Sequence, residues 1–529
     1  MAQRPKICLS LTGKTIAEDL KILENYRNWI DIAELRVDFL TKDERLYVRR
    51  FPEKAGLPCI LTIRRRIDGG QFLEGEASRT TLFARALAFA EQDVTKNFAY
   101  IDLENDFFVP SLHDAALAFG TSVIRSYHSL NAPVKNVAAQ FDELRYTGYE
   151  IPKITCMPHN LSELTNLMKQ AREIRGKDHI LSVAGPFGIP ATILASRTNS
   201  CIAYTTPGLE DGDRSNLNYI DPRTLVETYN FNSIDKNTEL YGITGYPLES
   251  SRSPYIHNKI YREFGMNAVY IPLRSKTIEE SMEFADEANM KGLSVTTPFK
   301  EEVLPNLRQI SEEVGDTGAC SLAVKRGNDW IGYNTDPEGL QKALCEFLGA
   351  KNLAHRRVSI IGAGSVARAA AFAVRQLRGK ACIFNRTIAR AKRIAEQFGF
   401  KYAALEPASN DLIEVYSDLI IQTTTVGQNY KKEVQKQNPS ESYWAEDYPE
   451  IRNTPENDPI YFYKFRGHEA IYDVVYTPEK TPLLERAEHA GCRVANGYMM
   501  LEFQAVKQFE LYTGWTKEVQ QWFHKKLEK

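Results

Sequence analysis

Lys153 is the only cation in the strand-like run EIPKITCMP, and His128 lies one element upstream in SVIRSYHSL. Desolvation disfavours the charged form of an amine, so a lysine in an apolar strand becomes a nucleophile towards a ketone near neutral pH. A nearby imidazole titrates in the range needed to move the protons that forming and breaking an imine require. The pair therefore predicts Schiff-base chemistry; the bland alternative is a lysine reaching solvent from a strand end beside an unrelated histidine. Alternation in IDIAELRVDFL puts Glu34, Arg36 and Asp38 on one face, opposite Leu35 and Val37, and Arg64 ends another apolar run. A row of charges facing an interior is costly unless it binds a ligand or forms a structural ion-pair layer.

The second half carries three further signals. Ser251 and Ser253 stand just before Pro254, where their hydroxyls can serve a carboxylate or only cap a helix. Lys300 follows the strand break in SVTTPFK and Asp336 opens a helix after WIGYNT, so a lysine and an aspartate at two strand exits can converge on one hydroxyl, or else form an ordinary surface pair. RRVSIIGAGSVARAAAFAV reads as an apolar strand, a turn over Gly362, Ala363, Gly364 and Ser365, and a helix that Ala367 allows to pack closely. A pyrophosphate can rest on such a helix start. The next strand, KACIFNR, ends in Asn385, Arg386 and Thr387, with Arg390 one turn on, rather than in the acidic residue that binds a ribose 2′-hydroxyl. Two guanidiniums there favour a 2′-phosphate, so the expected cofactor is NADP.

The elements that must position these residues alternate. Strand-like runs at KICLSLT, IDIAELRVDFL, PCILTIR, FAYIDLE, TSVIRSYH, EIPKITC, HILSVAG and CIAYTTP are separated by helical spacing, as in LSELTNLMKQAREIRG, where Leu161, Leu164, Leu167 and Met168 recur before Gly176. Such βα repetition fits a closed parallel barrel with its reactive side chains near the carboxyl ends of strands. A domain boundary is expected in NFNSIDKNTELYG. The chain has 529 residues, a hydrophobic fraction of 43% and a formal net charge of -2. That length suggests two or three domains, and so balanced a charge gives no pull towards nucleic acid or an anionic membrane, which leaves small molecules as the expected partners. The eight cysteines form no CxxC pair, which excludes a zinc ribbon and predicts reduced thiols; no metal site is expected, and the start lacks the apolar stretch of a signal peptide, so a cytoplasmic location is expected.

The first half resembles the type I 3-dehydroquinate dehydratases through ELRVDFL, TIR followed by DGG, SYH and PKITCMP, over about residues 5 to 230. The resemblance implies an imine on Lys153, His128 as general base and acid, and Glu34, Arg36 and Arg64 holding hydroxyl and carboxylate groups. Two departures stand out: LSVAGPFG and TTPGLEDG put Val183 and Leu209 where the family has an arginine clamp and a glutamine. Arg197, Arg79 and Arg65 are candidates to replace the clamp.

Residues 240 to 529 resemble the shikimate dehydrogenases through SSRSPYIHN, SVTTPFK, GYNTD, GAGSVARA, NRT, DVVYTP and GYMMLEFQA. The resemblance implies that Lys300 and Asp336 act on the reacting oxygen, that Ser251 and Ser253 bind the carboxylate, and that Thr296 and Gln504 reach ring hydroxyls. Ser321 and Ser294 replace two asparagines of the family pattern and Ser365 a glycine, so the ring hydroxyls are recognised more loosely, or through water.

Together the resemblances imply an α/β protein with an N-terminal (β/α)8 barrel over 1–234 and a two-lobed dehydrogenase with a Rossmann-type cofactor domain. Its substrate domain would span 238–345 and its NADP-binding domain 346–498, with an inserted loop or lid at about 428–468. Helices over 499–529 would return to the substrate domain. Dehydration of 3-dehydroquinate yields 3-dehydroshikimate, the ketone whose reduction gives shikimate, so the two halves would catalyse consecutive steps. Two alternatives remain: a quinate or other polyhydroxy-acid dehydrogenase carrying an inert barrel, and a metabolite-binding regulator that retains both folds.

Overall fold

The computed structural model describes residues 4–88, 94–176, 178–208, 213–215, 217, 219–248, 251–428 and 454–527. The eight expected strands form as β1 (Lys6–Leu11), β2 (Ile32–Arg36), β3 (Cys59–Thr62), β4 (Tyr100–Glu104), β5 (Ser122–Ser129), β6 (Ile151–Cys156), β7 (Ile180–Val183) and β8 (Ile202–Thr205). They hydrogen-bond in the order β7-β6-β5-β4-β3-β2-β1-β8, all parallel, and a His179–Ser200 bridge at the bottom of β7 and β8 brings the two ends together.

Alternation along the strands sorts the side chains into three zones. Leu9, Ala33, Leu35, Cys59 and Leu61 point outward into a core shared with the surrounding helices. Cys8, Ile32, Ile60, Ile124, Ile180 and Ile202 plug the amino-terminal end of the interior. One step further along the same faces, the inward positions turn polar, with Ser10, Glu34, Thr62, Asp102, Ser126 and Lys153 all buried. A barrel interior is a packed core, so this layer is where recognition is possible. The helix Leu161–Glu173 shows how local sequence fixes an outer element: Asn160 accepts from the Glu163 amide at 2.8 Å, and Leu161, Leu164, Leu167 and Met168 are buried.

Two compact units divide the chain, one comprising 1–248 with 257–290, the other 249–256 with 291–529. The first unit contains, besides the barrel, the parallel pair β9 (Glu239–Gly245) and β10 (Ala268–Arg274). In the second unit β11 (Gly292–Val295) runs antiparallel to β13 (Leu322–Arg326), which is antiparallel to β14 (Asp329–Tyr333); the short β12 (Gln309–Ile310) lies parallel to β14. The second unit's other sheet is wholly parallel. It takes the order β17-β16-β15-β18-β19-β20, from β15 (Arg357–Ile361), β16 (Lys380–Asn385), β17 (Lys401–Ala404), β18 (Leu419–Gln422), β19 (Ala470–Asp473) and β20 (Arg493–Ala495). Strand order reverses beside β15, which creates the crevice where dinucleotides bind in open α/β sheets.

The segment expected as a long loop or small lid at about 428–468 is irregular where it is described. Its first part, 429–453, lies outside the described residues, but the rest is no loose lid: Ile460, Tyr463 and Phe465 are buried in the core of the parallel sheet. Arg486 ties the segment down through Asp458 and the Ile460 carbonyl, at 2.7 and 2.9 Å. Aromatic side chains without a periodic pattern here fill a core rather than cover a site. No helix among the described residues is long and apolar enough to cross a membrane, and no group of His, Cys, Asp or Glu among them is arranged to hold a metal ion.

Candidate active sites

Inside the barrel, Lys153 Nζ lies 3.0 Å from Asp102 Oδ2, 3.8 Å from Glu34 Oε1 and 3.8 Å from the centroid of the Tyr204 ring. The expectation of an amine stranded among apolar groups is corrected: Lys153 is buried, but β4 and β2 bring carboxylates to it across the barrel. Glu34 in turn accepts from Thr62 Oγ1 at 2.8 Å and from the Ser10 hydroxyl. Asp102 also receives the Ser126 hydroxyl at 2.6 Å and lies 2.9 Å from Arg64. Burial acts to raise its pKa, but Arg64 and then Lys153 outweigh it and hold the carboxyl well below its usual range.

His128 is two residues further along the adjacent strand, on the same face, because Ser126 pairs with Lys153 and His128 with Thr155. Both side chains line one cavity together with Glu34, Arg36, Arg64 and Tyr204. Burial first and Arg64 second pull the imidazole well below its ordinary pKa, with Asp102 opposing. It is therefore neutral near pH 7 and able to accept a proton. Its Nδ1 is buried without a hydrogen-bond partner among the described residues, so this nitrogen is available to a ligand.

The arginines are all engaged. Arg36 grips Asp38 through two bonds of 2.9 and 2.8 Å, and Arg64 spans Asp102 and Glu104, the latter at 2.7 Å. Of the three candidate substitutes for a clamp, Arg79 binds Glu104 at 2.6 Å, Arg65 binds Asp68 at 2.6 Å and Asp106 at 2.7 Å, and Arg197 donates to the Thr238 carbonyl. Val183 pairs with Cys156, whereas Ser182 pairs with the inward Thr155. Position 183 thus faces away from the cavity, so an arginine there would not reach it. Leu209 lies outside the described residues. Asp102 and Glu104 are site residues that the sequence reading missed, although their i, i+2 spacing in YIDLE is the same signal that exposed Glu34 and Arg36.

The second site is built by three segments of the second unit. Lys300 Nζ hydrogen-bonds Asp336 Oδ2, and Gln504 Nε2 donates to Asp336 Oδ1 at 2.8 Å from the helix Tyr498–Thr513. Gly339 makes this approach possible, since a Cβ there would lie 2.6 Å from Gln504 Cγ. Thr296 is half-buried just beyond β11. Ser321 Oγ accepts from the Thr335 amide at 2.8 Å, one residue before Asp336. Ser251 and Ser253 open the helix Ser253–Glu263, where Ser251 Oγ accepts weakly from the Ser253 amide at 3.4 Å. Tyr476, which the sequence reading passed over, belongs to this turn: burial pushes its hydroxyl up, opposed by a bond from the Arg252 backbone.

At the glycine-rich turn, Gly362 adopts a φ of 115°, and a Cβ there would come within 2.6 Å of Thr423 Oγ1. Only glycine fits. Gly364 caps the helix Ser365–Gln376 and a Cβ on it would meet nothing within 4 Å, so the helix start is open to a phosphate. Asn385 holds the following turn by donating to the Thr387 carbonyl at 3.0 Å, and Arg386 and Arg390 are exposed beside it. These residues fit a 2′-phosphorylated dinucleotide. All eight cysteines are free, and burial raises every thiol, so none is an activated nucleophile.

Fold and sites together define a two-centre α/β enzyme, a parallel barrel with a buried polar site joined to a dehydrogenase with a Rossmann-type sheet. Family models match in the same order: type I 3-dehydroquinase over residues 7–236, the shikimate dehydrogenase substrate-binding domain over 243–322, and shikimate/quinate 5-dehydrogenase over 346–440. The bifunctional 3-dehydroquinate dehydratase/shikimate dehydrogenase of Arabidopsis thaliana, a chloroplastic protein, is 26% identical over 505 residues, covering 92% of this chain and 78% of its own. The NADP(+) shikimate dehydrogenase of Pyrococcus furiosus is 31% identical over 282 residues, 53% of this chain and 92% of its own. A solved S. pombe dehydroquinate dehydratase and shikimate dehydrogenase aligns over 97% of this chain and 96% of its own, at 22% identity and a TM-score of 0.40. The chain belongs to the bifunctional type I 3-dehydroquinate dehydratase/shikimate dehydrogenase family, a lyase joined to an NADP-dependent oxidoreductase of the shikimate pathway.

Proposed function

We propose that the barrel converts 3-dehydroquinate to 3-dehydroshikimate through an imine on Lys153, and that the second half reduces that ketone to shikimate with NADPH. The observation that carries the first step is a buried amine sharing a cavity with an imidazole whose Nδ1 has no hydrogen-bond partner among the described residues. Lys153 Nζ attacks the ketone carbon and the carbonyl oxygen leaves as water. The resulting iminium acidifies the adjacent C–H, and neutral His128 takes that proton. The β-hydroxyl then departs as water with a proton returned by the imidazolium, and hydrolysis of the imine restores the amine. Asp102 and Glu34 keep Nζ directed into the cavity, while Arg36 and Arg64 present donors to hydroxyl and carboxylate groups.

In the second half, NADPH when bound would supply the hydride that the ketone carbon needs. Lys300 gives the proton that completes the new hydroxyl, and Asp336, fixed by Gln504, keeps Nζ aimed at the reacting oxygen. Ser251 and Ser253 receive the carboxylate; Thr296 and Ser321 meet ring hydroxyls. Residues 362–365 and Ala367 would hold the pyrophosphate, and Asn385 and Thr387 shape the turn from which Arg386 and Arg390 would meet the 2′-phosphate. The eight free thiols suit a reducing cytoplasm.

Borohydride trapping tests the imine: the intact protein incubated with 3-dehydroquinate should gain the mass of the reduced adduct, and Lys153→Ala should gain none. No adduct on the parent protein would reduce the barrel to a scaffold. Faster NADP reduction with quinate than with shikimate would reassign the second substrate.

A further inference from the structure

Gln504 and Gln508 are four residues apart on the helix Tyr498–Thr513 and so lie on one face, and Tyr512 continues that face by a further turn. Gln504 reaches Asp336, as above. Gln508 reaches two hydroxyls. Its Oε1 accepts from Ser294 Oγ at 2.7 Å, and its Nε2 donates to Thr335 Oγ1 at 3.2 Å. Ser294 also lies 3.2 Å from Tyr512 OH, and the Tyr512 ring occupies the space beside Gly292, where a Cβ would fall 2.0 Å from it. Thr335 adjoins Asp336 and meets Ser321 twice, through its amide at 2.8 Å and its hydroxyl at 3.2 Å. Ser294, Ser321, Thr335 and Gln508 are all buried. Both short side chains, Ser294 and Ser321, thus belong to a network closed by an amide from elsewhere in the chain.

We infer that Gln508 is a positioning residue that sets ring-hydroxyl recognition in the reductase site, by fixing which hydroxyls there donate and which accept. The amide orientation determines the direction of the chain. Ser294 spends its proton on Gln508 and so faces a ligand as an acceptor. Thr335 accepts from Gln508, leaving its own proton for Ser321. Ser321 already accepts from the Thr335 amide, so its O–H is left to point at a ligand hydroxyl. A polyhydroxylated ring with one hydroxyl donating to the remaining lone pair of Ser294 and one accepting from Ser321 matches this order; a ring lacking the second leaves the buried Ser321 O–H unpaired, the kind of mismatch that gives strong discrimination, whereas Ser294 keeps Gln508 and Tyr512.

The inference rests on the reductase reading above. Gln508→Leu removes both bonds, whereas Gln508→Glu keeps the acceptor for Ser294 and loses the donor to Thr335. With NADP, shikimate and a set of singly deoxygenated shikimate analogues, Gln508→Leu should raise KM for shikimate about tenfold while kcat falls far less, and the preference over one or two of the analogues should shrink by a similar factor. Gln508→Glu should lose preference only against the analogue whose missing hydroxyl faces Ser321. An unchanged ratio of kcat/KM between shikimate and every analogue in both variants would overturn the inference, as would kcat and kcat/KM falling equally, which would mark a structural role. If Gln508→Leu does not fold, Gln508→Glu alone carries the test. A parent protein that turns over neither shikimate nor quinate would instead overturn the reductase reading itself.

Discussion

Arg64 is the charge on which the barrel interior turns, and replacing it with methionine separates two of its effects. Its guanidinium lies 2.9 Å from Asp102 and 2.7 Å from Glu104, and it donates to Ser126 Oγ at 3.0 Å. Breaking a buried ion pair from one side costs about 3–5 kcal/mol because a charge is left uncompensated. Neither carboxylate is fully orphaned by Arg64→Met, since Asp102 keeps Lys153 at 3.0 Å and Glu104 keeps Arg79 at 2.6 Å. The expected loss is therefore near the lower end, about 3 kcal/mol, or a fall of roughly 6–12 °C in the melting temperature of a domain this size. The same guanidinium is the largest charge effect holding the His128 pKa down, against the pull of Asp102. Without it the imidazole titrates higher, so the acid limb of kcat/KM for dehydration moves to higher pH. Urea unfolding followed by barrel-specific probes and a pH–rate profile read the two effects separately. A variant as stable as the parent, with its acid limb unmoved, would refute the view that the polar layer depends on this cation.

Two further outcomes are expected. Arg386→Ala with Arg390→Ala should raise KM for NADPH by about tenfold or more and leave NADH use little changed, because only the 2′-phosphate loses its charge-assisted contacts; equal losses with both cofactors would place those guanidiniums elsewhere. Asp473 is pushed up to about 7 by burial, despite bonds from Thr481 Oγ1 at 2.6 Å and the Val475 amide at 3.0 Å. A carboxyl raised above its unfolded value contributes stability at low pH that is lost as pH rises towards 7. Asp473→Asn should therefore flatten the loss of stability of the second half between about pH 4 and 7, with a ceiling of about 4 kcal/mol set by the size of the shift. A loss as steep as in the parent would mean that Asp473 is ionised at no cost.

The parts of this molecule that could be read from its sequence are those governed by one strand or one turn. Period-two alternation placed Glu34 and Arg36 inward and Leu35 and Val37 outward, and all eight barrel strands formed where short apolar runs stood between helical stretches. The turn at Gly362 was legible because a strand, a glycine and a small-residue helix occur in immediate succession. Position 183 was misjudged for a related reason: a family motif was matched by proximity in sequence, whereas strand parity, set by the Ser182–Thr155 pairing, turns that side chain outward.

What the sequence concealed is the company each reactive group keeps. Lys153 looks isolated in its own strand, yet the carboxylate nearest to it is 51 residues away on β4, which β5 separates from β6 and which meets the lysine only in the barrel interior. The same holds in the second half, where the amide that orders Ser294 is 214 residues distant on a helix whose own amphipathic pattern says nothing of β11. In both sites the reactive residue is announced locally and its electrostatic environment is assembled by topology. A buried amine with ion partners and one without them are indistinguishable in a linear string, although they differ by the full cost of desolvating a charge. It follows that the two lysines proposed to act could be picked out from strand ends alone, while how Asp102 and Gln504 restrain them depends on residues that only the closed fold brings within reach.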